Sequence, residues 1–82
     1  MDDHLLWCIY TAKEDIFSPN CDAASAIRHM YLNLIRHPEC TEGSMYPELC
    51  KYFILSTLGK SPIEAKEMAL KFLNEFAVVQ FQ

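Results

Sequence analysis

Apolar positions along the chain fall into four runs of helical spacing, separated by breaks at proline, glycine and short polar residues. In the first run, Leu5, Ile9, Ala12 and Ile16 recur at the spacing of one α-helical face. This predicts a helix from about Asp3 to Phe17, with Asp2 or Asp3 as its N-cap. At about 100° per residue, Leu6, Tyr10 and Phe17 form a second stripe beside the first, and Trp7 lies about 160° from the first stripe's centre, next to Glu14. A helix apolar beyond one face is either central in its fold or partly covered by a partner.

Ser18-Pro19-Asn20-Cys21-Asp22 breaks the pattern, and Asn20 or Asp22 is placed to cap the next helix. Over about residues 22–37, Ala23, Ile27, Met30, Tyr31 and Leu34 share one face, with Ser25, Arg28, His29, Asn33 and Arg36 opposite. The residue before a proline is pushed out of the α region, so His37-Pro38 ends this helix. The third run, about 45–58, has Thr41 or Ser44 as candidate caps and Pro47 in its first turn. Its apolar residues Leu49, Cys50, Tyr52, Phe53, Ile54, Leu55 and Leu58 point in most directions around a helix axis. A strand over Tyr52 to Leu55 is the competing reading, but a proline start and a Gly59 stop span a helical length and favour a largely buried helix. Ser61-Pro62-Ile63-Glu64 carries an N-cap serine, a proline in the first turn and a glutamate placed to close a capping box. It opens a fourth helix whose buried stripe is Ala65, Met68, Ala69, Phe72, Leu73, Phe76 and Val79. Ala77 to Phe81 has β character, and fraying, helical extension and an edge strand all remain open for it.

Composition turns these elements into a fold. The chain is 82 residues, 51% hydrophobic and 12% aromatic, enough for one domain over 1–82 and too few for two. Short connections between four short helices predict an all-α fold, a compact irregular antiparallel bundle. Helices two and four carry ordinary stripes. The apolar surplus falls on helices one and three, which the pattern makes the two buried elements.

Net charge is −4, which argues against a general duplex or anionic-membrane binder. Residues 1–22 hold five acids against Lys13, whereas residues 23–38 hold Arg28 and Arg36 and no acid. A helix-in-groove nucleic-acid binder using Arg28, His29 and Arg36 is the third-ranked reading, because two arginines fall short of the roughly six to ten phosphate contacts of duplex binding. The longest apolar run, Leu5 to Tyr10, is far below the ~20 residues of a membrane span. With no basic leader pattern, the expectation is a soluble cytoplasmic or nuclear chain that binds neither membrane nor nucleic acid.

Four cysteines (Cys8, Cys21, Cys40, Cys50) allow three disulfide pairings in an oxidising compartment and act as thiols elsewhere. His4 and Cys8 lie one helical turn apart, and His37-Pro38-Glu39-Cys40 is an H-x-x-C pair, so a tetrahedral zinc site can be written from His4, Cys8, His37 and Cys40. Neither pair is a C-x-x-C knuckle, and nothing in the sequence makes the two pairs meet. Cys40 is the thiol best placed in a loop for nucleophilic chemistry, but Glu39 and Glu42 oppose its ionisation. Two glycines, Gly43 and Gly59, leave no phosphate-cradling loop.

No catalytic residue, metal or cofactor is therefore assigned. The expected function is a non-catalytic protein-interaction, adaptor or regulatory module that forms a homodimer. Its surface is assigned to Leu6, Trp7, Tyr10 and Phe17 of the first helix, with Phe81 of the tail. The small zinc-binding domain is the alternative.

Overall fold

The computed structural model describes the backbone of residues 3–41 and 44–81 and the side chains of residues 3–39 and 44–75. Helix α1 runs Asp3–Phe17, α2 Ala23–Ile35, α4 Tyr46–Ser56 and α5 Pro62–Phe81, with a single helical turn, α3, at Pro38–Thr41. The architecture is an all-α bundle. Among the described residues no strand occurs, so Tyr52 to Leu55 is helical and the tail extends α5 through Phe81.

Local chemistry explains most of the boundaries. Asp22 is the N-cap of α2: the Ser25 N–H donates to its Oδ1 at 2.7 Å. That bond, more than any nearby charge, holds the Asp22 carboxyl below its ordinary range. Because the folded-state value is depressed, its stabilisation is full above the unfolded carboxyl value and is lost as pH falls through the folded one. Asp22→Ala is expected to cost about 1 kcal/mol at neutral pH, and urea titrations should show that difference shrink as pH falls below the ordinary carboxyl range. A loss that persists unchanged in acid would refute the cap as its cause.

Helix α2 stops at Ile35, short of the restricted His37, and Pro38 opens α3. Pro47 sits in the first turn of α4, as expected, but Ser44 does not cap it, and the side chain of Thr41 lies outside the described residues. Met45 holds the N-cap position without a side-chain bond, and Ser44 Oγ is buried with no hydrogen-bond partner among the described residues. Gly59, at φ 80°, takes the left-handed conformation that lets the chain leave α4. At α5 the Glu64 N–H donates to Ser61 Oγ at 3.2 Å and that hydroxyl donates to Glu64 Oε1 at 3.3 Å, so the serine and glutamate close the box through their side chains.

Packing departs from the sequence expectation in one respect. The central element is α2, which lies against α1, α4, α5 and α3. Its buried residues are Ala23, Ala26, Ile27, Met30 and Leu34, and the alanines let neighbouring helices approach closely. From α1 the predicted stripe Leu5, Ile9, Ala12 and Ile16 is buried, joined by Cys8. Ala69 and Leu73 represent α5 in the core. By contrast α4, expected to be largely buried, contributes only Cys50 and Phe53 among its residues. Tyr52, Leu55 and Leu58 stand 68%, 62% and 73% exposed. The reason is geometric: α4 has α2 as its main neighbour, and a helix packed against one principal partner buries one stripe whatever its other faces carry.

Candidate functional site

Burial of the Leu5–Ile16 stripe leaves the second apolar stripe of α1 facing outward. Tyr10 and Phe17 are exposed, Leu6 is half-buried, and Trp7 is exposed beside them. These are the four α1 residues assigned to an interface. The fifth, Phe81, is in the helical backbone, and its side chain lies outside the described residues. Sequence reasoning missed a second apolar surface, formed by Met45, Leu49, Tyr52, Leu55 and Leu58 on and around α4. The signal was present in the all-round apolar pattern of this helix, which was read as burial.

At the other edge of α1 the chain brings together residues far apart in sequence. His4 Nε2 donates to the carbonyl of Asn33 in α2 at 2.9 Å and lies 3.6 Å from Cys8 Sγ. The His37 ring packs on His4 with centroids 4.1 Å apart and a 57° tilt, and Trp7 stacks on the same histidine with centroids 5.9 Å apart. His37 Nδ1 in turn lies 3.2 Å from Glu39 Oε1. The Glu39 carboxyl is held below its usual range by its own backbone N–H, then by the His37 ring, with the His4 ring adding a smaller pull. Three of the four residues written into the zinc alternative, His4, Cys8 and His37, thus share one corner. The side chain of Cys40 lies outside the described residues, though its backbone is in α3. Cys50 is buried nearby, and burial, reinforced by Cys8, pushes its thiol up to about 12. It is a core group with no nucleophilic capacity at neutral pH.

A second cluster joins the end of α1 to α2. One ligand atom each from Asp15, Cys21 and His29 lies within 4.8 Å of the others, and His29 Nδ1 is 3.4 Å from Asp15 Oδ2. Burial first, and the charges of Asp15 and Asp22 next, raise the Cys21 thiol above its ordinary value, with Lys66 opposing weakly. A thiol, an imidazole and a carboxylate are therefore adjacent, but the thiol is biased against ionisation. Asp15 and His29 also line an open depression of about 260 Å³ with Thr11, Leu32, Asn33 and Arg36, below the ~300–1,000 Å³ of typical ligand pockets. Of the groups in the nucleic-acid reading, Arg28, His29 and Arg36 are all exposed on or beside α2. His29 faces the acidic Asp15, however, and Arg36 Nη1 donates to Asn33 Oδ1 at 3.4 Å.

The fold and its surfaces define an all-α bundle in which, among the described residues, no helix is long and apolar enough to cross a membrane. Comparison with protein-family models, with curated proteins and with solved structures finds no match.

Proposed function

We propose that the chain is a non-catalytic protein-interaction module, adaptor or regulatory in kind, that self-associates through apolar helix surface. The observation that carries this reading is the exposure of the α1 aromatics, with Trp7 53%, Tyr10 55% and Phe17 71% exposed. Isolated apolar residues at a surface are ordinary, but three large aromatics within one helix, with the half-buried Leu6 among them, form a patch whose burial a second chain can supply. Tryptophan and tyrosine are also the residue types that concentrate interface energy. Charge supports a two-fold arrangement. The acidic residues of the first segment in one copy can face Arg28 and Arg36 of the other, which fixes orientation more than it adds affinity.

The test is mass by light scattering over about 1–200 µM chain. Wild type is expected at twice its 9.5 kDa chain mass at the upper end. Trp7→Ala is expected to weaken association at least ~10-fold. Leu55→Glu, on the α4 surface, serves as the comparison. A wild type that stays monomeric throughout overturns the proposal, and dissociation by Leu55→Glu with none by Trp7→Ala moves the contact from α1 to α4.

A further inference from the structure

We propose that Asp15, Cys21 and His29 together bind one zinc-class divalent ion at the α1–α2 junction, with water as its fourth ligand. Three observations meet on this site, and none depends on the interaction surface. The first is convergence. Asp15 lies in the last turn of α1, Cys21 in the connection and His29 within α2, yet one ligand atom from each falls within 4.8 Å of the others. Among the described residues this is the group of three metal-ligating side chains that meets that condition.

The second observation is a distance. His29 Nδ1 lies 3.4 Å from Asp15 Oδ2, long for a charge-assisted hydrogen bond, which closes to about 2.7–2.9 Å. Nitrogen and oxygen each bonded to tetrahedral zinc at about 2.0–2.1 Å stand roughly 3.3 Å apart, so an ion fits the edge that these two atoms already form. The third observation is the donor set. A thiolate and an imidazole select a borderline-soft ion over magnesium or calcium, which take oxygen ligands. The Asp15 carboxylate and the Cys21 thiolate together match the charge of a divalent ion. In the metal-free chain Cys21 Sγ donates to the Asp22 carbonyl at 3.5 Å; coordination breaks that contact, and the thiol proton passes to water. His29 binds through Nδ1 as the neutral ring, with its proton on Nε2.

The surroundings suit a cation. Helix α1 has no basic residue in its last turn, so an ion held by Asp15 supplies positive charge where the helix dipole favours it. Lys66, whose Nζ donates to the Ser18 carbonyl at 3.4 Å, opposes a second cation, but it acts on Cys21 more weakly than either Asp15 or Asp22. Asp15 and His29 also line the open depression of about 260 Å³, which leaves room for the water ligand and gives the ion a route in from solvent. None of the three ligands belongs to the core, Asp15 and Cys21 being half-buried and His29 exposed, so each can be replaced without opening a cavity. The histidine corner at the other end of α1 provides the control through His37, which is exposed.

The test titrates the chelator-stripped full chain with cobalt(II) and then displaces the cobalt with zinc. The expected result is one ion per chain, a dissociation constant for zinc tighter than ~10 µM, and a thiolate-to-cobalt charge-transfer band. His29→Ala and Asp15→Asn should each weaken binding at least ~10-fold, Cys21→Ser should abolish the band, and His37→Ala should leave affinity and band unchanged. Zinc at about 100 times its dissociation constant should raise the thermal midpoint of wild type by roughly 10 °C and that of His29→Ala by far less. No stoichiometric binding by wild type overturns the site. So does loss of binding with His37→Ala in place of His29→Ala, and so does a band that survives Cys21→Ser.

Discussion

Replacing Ile27 by alanine is expected to destabilise the bundle by about 3 kcal/mol. Ile27 is fully buried in α2, the helix against which α1, α4 and α5 all pack. Truncation removes three carbon atoms from a position hemmed in by helices on several sides, so collapse cannot refill the space and a cavity cost adds to the lost transfer energy. A domain of this size commands only roughly 5–10 kcal/mol in total. The transition midpoint should fall by roughly 10–25 °C in thermal denaturation, with the urea m-value unchanged. Ile63→Ala, at a residue 73% exposed, is the matched control and should stay within ~0.5 kcal/mol of wild type. Similar small losses for both variants would show that α2 is not the centre of the fold.

That contrast marks what the sequence made legible. Period and caps located the elements: the i, i+4, i+7 stripe of α1 is the stripe the core buries, and the Asp22 and Ser61 caps sit where their spacing put them. Such signals are local, and local rules govern them. Which helix lies in the middle is a long-range matter: of the two segments with an apolar surplus, α1 buries Leu5, Cys8, Ile9, Ala12 and Ile16, whereas α4 buries only Cys50 and Phe53. Helix α2 occupies the centre partly through Ala23 and Ala26, whose small volume admits neighbours on several sides but adds little to any hydrophobic count. Helix α4 shows the converse, since a residue's direction around an axis says nothing about whether a neighbour stands there. The corner of His4, Cys8 and His37 was half legible. Each donor pair could be read from spacing, whereas their meeting depends on the start of α1 lying alongside the end of α2.

The same reasoning sharpens what holds α4 in place. Its two buried side chains are the small Cys50 and the large Phe53, and Phe53 stacks on Phe72 of α5 with centroids 4.8 Å apart and planes 26° apart. Phe53 is therefore the largest side chain that α4 buries and its aromatic link to α5, beside its main packing against α2, with about 150–250 Å² of apolar surface at stake. Phe53→Ala should cost about 4 kcal/mol and should lower amide-exchange protection in α4 more than in α1, because the helix loses its anchor while the α1–α2 contact survives. Tyr52→Ala, at the neighbouring but 68% exposed position, separates two roles for the outer surface. If that surface faces only water, the change stays within ~0.5 kcal/mol at every protein concentration. If a second copy covers it, the loss grows with concentration, because only the associated state is stabilised by the contact. The Phe53→Ala loss, arising inside one chain, should persist down to concentrations at which any dimer has dissociated. Denaturation of both variants at about 2 and 200 µM would distinguish these cases, and equal protection of α4 and α1 in Phe53→Ala would show that the ring is not the anchor.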